Sequence, residues 1–118
     1  MLIRKHSLRP LPKLKKKAEA LFHKYICKRD NYVCYTCKKQ GNEAGHYWHN
    51  KLDFDERNLR CQCPRCNRFL HGNLGQYAIN LIDDFGREWF DKLDADAHQE
   101  RSKKSRDELE ALIQKYQP

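Results

Sequence analysis

Carboxylates are almost missing from the first quarter of this chain. Among residues 1–29, Glu19 stands alone against Arg4, Lys5, Arg9, Lys13, Lys15, Lys16, Lys17, Lys24, Lys28 and Arg29. Long apolar runs are missing too, which excludes a membrane-spanning helix of ordinary length. The first residues hold no apolar segment of the kind that opens a secretory leader, so the expected setting is the cytoplasm. There, six cysteines point to metal binding and away from a disulfide framework. Apolar residues are also scarce, at 39% of 118 positions against 34% charged. A core this thin leans on a metal or a partner chain.

What is present in excess is positive charge, with a net +8 and a pI near 9.3. That balance favours a polyanionic partner without choosing one. Because residues 30–118 are close to neutral, the excess reads as a phosphate-touching arm and helix at the N-terminal end.

Residues 1–12 read as an irregular basic arm closed by Pro10 and Pro12. From Lys13 to Arg29, Leu14, Ala18, Leu21, Phe22, Tyr25 and Ile26 recur at helical spacing, with lysines on the other faces. Short strands are expected at 44–48 and 58–63, separated by a long polar loop through HNKLDFDERN. Pro64 suits the first position of a helix running to about His71 and stopping at Gly72. Helices are further expected at 75–85 and 87–93. The SRDE at 105–108 matches a capping box, with Leu109, Leu112, Ile113 and Tyr116 following at helical spacing. RSKKSR (101–106) reads as a linker.

Cys34-x-x-Cys37 and Cys63-x-x-Cys66 are separated by 25 residues. Each pair gives a two-thiolate bite, and two such pairs complete a tetrahedral zinc shell. Cys61 would share a strand face with Leu59 and is read as core, as is Cys27 on the first helix. Between the pairs lies an insertion carrying AGHYWHN (44–50) and DERN (55–58). His46 falls at the end of the first strand and Asn58 at the start of the second. Asn67 and His71, at i and i+4, would project from one face of the following helix.

The order strand–histidine, loop, asparagine, strand, helix–ligand resembles the HNH, or ββα-metal, endonucleases. The cysteine-framed pattern of that family has an asparagine, a cysteine five residues later, another at eight and a metal-binding residue at nine. Asn58, Cys63, Cys66 and Asn67 fall on those intervals. Asparagine in the last place occurs in the endonuclease VII type. The run AGHY, FDERN, QCPRCN, GN and a Tyr-containing helix ending in FG is similar to the phage NinG (Rap) recombination nucleases, over roughly residues 18–93. Longer members carry a further cysteine-rich segment upstream of the shared region.

That resemblance implies a mostly helical α+β fold, a zinc-framed ββα-metal core with flanking helices. The organisation would be a basic arm at 1–12, the zinc-bound nuclease domain at 13–93, and a linker and helix at 94–118. It implies a metal-dependent DNA endonuclease acting on branched recombination intermediates of a phage, within the bacterial host cell. His46 would be the general base and Asn58 would hold the loop and orient it. Asn67 and His71 would contact a catalytic Mg²⁺ or Mn²⁺, while Cys34, Cys37, Cys63 and Cys66 hold structural zinc. Family members often carry Asp or His just before the base as a further ligand; here that position is Gly45, with Glu43, His49 and Asp53 as candidate substitutes. Lys15, Lys16, Lys17, Arg57, Arg65 and Arg68 are candidate DNA contacts, with Arg60 beside them. Partners would be branched or duplex DNA and recombination proteins, with no membrane. A homodimer would suit symmetric resolution of a junction, with helices 75–85 and 105–117 as its interface or as closure of the core. The alternatives are a general HNH nicking or restriction-type nuclease, and a non-catalytic zinc-ribbon DNA-binding module.

Overall fold

A computed structural model of the chain describes residues 10–99 and 103–118. Arg4, Lys5 and Arg9 of the expected arm lie outside the described residues. The architecture is a two-stranded antiparallel sheet embedded among helices. Helix α1 spans Leu11–Arg29, strands β1 and β2 span Glu43–His46 and Leu59–Gln62, and a short π-helical turn spans Arg65–Phe69. Helices α2 (Leu74–Phe85), α3 (Arg87–Gln99) and α4 (Arg106–Tyr116) follow.

The prolines read as closing an arm instead open a helix. Pro10 is the residue before α1 and Pro12 sits in its first turn, where a missing N–H costs nothing. Leu14, Ala18, Phe22, Ile26 and Cys27 form its buried stripe. At the other end Arg29 acts as a clamp. Its guanidinium reaches the main-chain oxygens of Glu56 (2.8 Å) and Leu59 (2.6 Å) and pairs with Asp30. Asp30 in turn accepts from the Cys61 amide at 2.8 Å. The last cation of the basic segment is therefore spent on holding the sheet to α1.

The strands pair Glu43 with Gln62 and His46 with Leu59, so both are shorter than the expected 44–48 and 58–63. Alternation along the pleat sends Ala44, His46, Leu59 and Cys61 to one face, and Glu43, Gly45, Arg60 and Gln62 to the other. The first face meets α1, where Phe22, Ile26 and Leu59 form an apolar cluster with Ala44, Phe54 and Tyr116 around it. Truncating Phe22, which is fully buried, to alanine would cost about 3–5 kcal/mol.

Helix α4 lies along α1, with Leu109 and Ile113 against Leu14 and Ala18. Its Ser105–Glu108 capping box forms as expected. This helix closes the core of its own chain. On the far side Tyr77, Leu81, Leu93 and Ala97 join α2 to α3, with Leu52, Tyr47 and Trp48 of the loop packed on them. The expected seven-residue helix at 87–93 is a thirteen-residue one, Arg87–Gln99. It continues because Leu93 and Ala97 keep the buried stripe in phase.

The largest departure is after Pro64. The expected helix to His71 ends at Phe69 and is widened: Leu70 N–H reaches Arg65 O at 2.9 Å and Gly72 N–H reaches Cys66 O at 2.8 Å. His71, Gly72 and Asn73 then take positive φ in succession. Asn67 and His71 therefore do not share a helix face, because the turn carrying His71 is no longer helical.

Candidate functional site

The cysteines of the two C-x-x-C pairs converge. The sulfurs of Cys34, Cys37, Cys63 and Cys66 all lie within 4.8 Å of one another, and Cys37 and Cys63 are 3.7 Å apart. A tetrahedral zinc with bonds of about 2.3 Å would space its sulfurs by roughly 3.8 Å. The donor set therefore fits zinc. Polar groups surround the sulfurs: the Cys66 amide reaches Cys63 Sγ at 3.4 Å, Asn73 Nδ2 reaches Cys66 Sγ at 3.7 Å, and Thr36 Oγ1 lies 3.4 Å from Cys34 Sγ. Burial pushes the Cys34 thiol up, but hydrogen bonds from Thr36 and main-chain amides outweigh it and lower it. The Lys39 amide lowers the Cys37 thiol, but burial and crowding by the other three sulfurs outweigh it and push it up. Four thiolates this close need a cation among them. Cys27 and Cys61 are buried together beneath the sheet, outside this cluster.

His46 ends β1 on the face toward α1. Its Nε2 lies 3.7 Å from Asp53 Oδ1. Its ring meets His23 of α1 edge-on at 5.8 Å and His49 at 6.4 Å. Burial lowers the His46 pKa; Asp53 works against this, and His23 and His49 add to it. The ring is therefore neutral at ordinary pH.

Asn58 is fully buried and ties up the loop that follows His46. Its Oδ1 accepts from Trp48 N–H at 2.8 Å, and its Nδ2 faces the main-chain oxygens of Trp48 (3.0 Å), Lys51 (2.9 Å) and Leu52 (3.3 Å). Its own carbonyl accepts from the Tyr47 amide at 2.9 Å. Asn58 thus fixes the chain from the residue after His46 without touching the imidazole.

Asn67 sits on the other face of the sheet. Its Nδ2 donates to Glu43 Oε1 at 2.9 Å, and Arg68 pairs with the same carboxylate at 2.6 Å. Glu43 is thereby committed to these two partners. A Cβ on Gly45 would lie 3.1 Å from Asn67 Oδ1 and would overlap the Gln62 side-chain amide. Sequence reasoning passed over Gln62. The available signal was its register: on the same face as Gly45, next to the one position without a side chain. Tyr77 completes this side by donating to Gly45 O at 2.8 Å. His71 is exposed, and no described contact joins it to Asn67. His49 Nε2 lies 3.4 Å from where a Cβ on Gly72 would be.

Of the candidate DNA contacts, Lys15, Lys16 and Arg65 are exposed and Lys17 is half-buried. Arg57 has other partners: it pairs with Asp55 at 2.6 Å and with Asp96 of α3 at 2.9 Å. Arg60 lies half-buried over the rings of Tyr35 (5.3 Å) and Phe85 (4.7 Å). Among the described residues, no helix is long and apolar enough to cross a membrane.

Fold and cluster together define a small, mostly helical α+β protein whose two-stranded sheet is bordered by a four-cysteine site fit for zinc. The family model for the bacteriophage lambda NinG protein matches residues 1–118, and the chain belongs to the NinG family. It is 33% identical over 123 aligned residues to "Protein ninG" of Escherichia phage 933W, covering 98% of this chain and 60% of that protein. For "Protein ninG" of Salmonella phage P22 the identity is 32% with the same coverage. For that of Escherichia phage lambda it is 33%, covering 84% of this chain and 52% of the relative. The chain thus spans between half and two thirds of the length of these relatives. No solved structure matches.

Proposed function

We propose that this protein is a metal-dependent DNA endonuclease of the HNH type, hydrolysing phosphodiester bonds in branched recombination intermediates. The observation that carries the reading is the placement of His46 and Asn58 at the two ends of one loop. A neutral, half-buried imidazole ends one strand, and a buried asparagine at the head of the next strand fixes the intervening loop through side-chain hydrogen bonds to the main chain of Trp48, Lys51 and Leu52. The short helical turn that supplies Cys66 also carries Asn67, so the order β, β, helical turn of the HNH family is supported.

In this reading His46 accepts a proton from the attacking water, a task its lowered pKa suits. Asp53, 3.7 Å away, favours the imidazolium that forms. A divalent ion, when bound, supplies charge stabilisation at the scissile phosphate and the leaving 3′ oxygen. Asn67 fits that ion: its Nδ2 is held by Glu43, so its Oδ1 is turned away and free to ligate. His71, exposed on the turn that follows, is the second ligand in this reading. Mg²⁺ and Mn²⁺ both suit such oxygen donors. Lys15, Lys16 and Arg65 are exposed cations available to phosphate. The cysteine cluster is structural here, pinning the sheet to the turn.

The preference for branched DNA rests on the family resemblance, as do the phage-infected cytoplasm, the recombination partners and a homodimer. The test is cleavage of a labelled four-way junction beside a matched linear duplex, in Mg²⁺, Mn²⁺ and EDTA. Metal-dependent cutting of the junction is expected. Equal cutting of the duplex would favour a general nicking nuclease, and binding without cutting in any metal would favour a zinc-framed binding module.

A further inference from the structure

The sheet face that carries Asn67 holds a second oxygen with nothing to accept. Gln62 is completely buried between Cys61 and Cys63. Its Nε2 donates to Gly72 O at 2.8 Å and to Thr36 Oγ1 at 3.1 Å. A carbonyl oxygen can only accept, so Gly72 O fixes which end of the amide is nitrogen. Oε1 must then point the other way, and it has no hydrogen-bond partner. It points at Gly45, into the volume that a side chain there would fill.

Asn67 Oδ1 borders the same volume, 3.1 Å from the position of the missing Cβ. Its orientation is also fixed, by the Nδ2 bond to Glu43. Two amide oxygens, each aimed by its own nitrogen, thus converge where no donor lies between them. Like dipoles facing each other repel, and a cation relieves both. Neutral oxygen donors that border one volume suit a hard divalent ion. Thr36 also links Gln62 to Cys34 Sγ, so the zinc-binding cluster steadies the amide that faces Gly45.

We infer that Gln62, through Oε1, is the divalent-ion ligand that takes the place of the side chain missing at Gly45, acting together with Asn67 Oδ1. This rests on the proposed HNH reading for the existence of a divalent ion at Asn67. It also explains the glycine: any side chain at position 45 would drive out the amide.

The test titrates Mn²⁺ into the zinc-loaded full chain and follows free Mn²⁺ by electron paramagnetic resonance, with zinc content and circular dichroism as checks on folding. Gln62→Ala is expected to weaken Mn²⁺ binding by about 10-fold or more. The double variant Gly45→Asp/Gln62→Ala is expected to regain it, because the carboxylate enters the space the amide leaves. Unchanged Mn²⁺ affinity in a folded, zinc-loaded Gln62→Ala protein overturns the assignment. If that variant loses zinc, the wild-type protein still decides by NMR. Diamagnetic Mg²⁺ should shift the Gln62 side-chain carbonyl carbon together with that of Asn67, and an unmoved Gln62 carbonyl while that of Asn67 shifts overturns the assignment. Cleavage separates this from the function itself. Gln62-dependent Mn²⁺ binding in a protein that cuts no DNA supports the ligand and sinks the nuclease reading. Cutting by wild type with Mn²⁺ affinity indifferent to Gln62 sinks the ligand alone.

Discussion

The cysteine cluster and the pair His46 and Asn67 are built from the same sheet and turn, yet they differ in kind. The four sulfurs are already gathered within 4.8 Å. His46 and Asn67 lie on opposite faces of the sheet, His46 beside His23 and Asp53 and Asn67 beside Glu43. A C-x-x-C bite needs only a tight turn, so local sequence determines each half of the cluster. The surroundings of His46 need a loop folded to the right shape, and that shape is imposed from a distance by Asn58 and by the packing of Leu52, Tyr47 and Trp48 on Tyr77 and its neighbours.

The largest way to break this comparison is to remove the cluster. Cys63→Ser, or chelation of zinc, should release the sheet from the turn and abolish cooperative melting of the hairpin region. Structural zinc contributes on the order of 10 kcal/mol in small domains. Retained native circular dichroism without bound metal would show that the apolar core alone suffices. Next comes Asn58→Ala, which takes the side-chain partner from the amide and carbonyl of Trp48 and from the Lys51 carbonyl. A loss of about 3 kcal/mol is expected, with a melting point lower by on the order of 10 °C and zinc still bound. Loss of zinc in this variant would mean that the two sites are one cooperative unit.

A smaller effect sharpens the contrast among the arginines. Arg57→Ala should cost about 1 kcal/mol or less of stability and leave DNA affinity unaltered, because its guanidinium is spent on Asp55 and Asp96. Arg65→Ala should leave melting unchanged and lower the salt dependence of DNA binding by about one unit of slope. A reversed outcome, read from melting and salt-titrated binding, would misplace the DNA face. The smallest effect is on pH. Burial lowers His46 below its ordinary 6.5, so the neutral base is already abundant at that pH. Cleavage should therefore be flat above about pH 6.5 and fall only as pH drops through the lowered value. The linked stability has the same sign: a lowered folded pKa contributes stability above the unfolded value, lost as pH falls through the folded one. His23, lowered likewise by burial, adds to it, while Asp53 limits both. A rate still climbing from pH 7 to 8 would point to a different proton acceptor.

Elements with one buried stripe were legible: α1 from Leu14 to Ile26, α4 from its Ser105–Glu108 box, and the cysteine bites from spacing alone. The burial of Cys27 and Cys61 followed from strand and helix periodicity. What escaped depended on context. Pro10 and Pro12 look like arm punctuation until the lysine-bearing turn after them is seen to bury Leu14. The stretch after Pro64 reads as an ordinary helix, but Gly72 and Asn73 are held by Gln62 and Cys66, and the turn widens to reach them. That widening is why His71 left the face of Asn67. Gln62 was hidden for the opposite reason: its importance lies in the side chain that Gly45 does not have.

The most direct test of the account is to compare His46→Ala with wild type on the four-way junction in Mg²⁺ and Mn²⁺, with bound zinc measured in the same samples. The account predicts a loss of cleavage of at least about 100-fold, with zinc content and melting intact. Equal cleavage by the variant would contradict it, since the neutral imidazole at the strand end would then have no part in the chemistry.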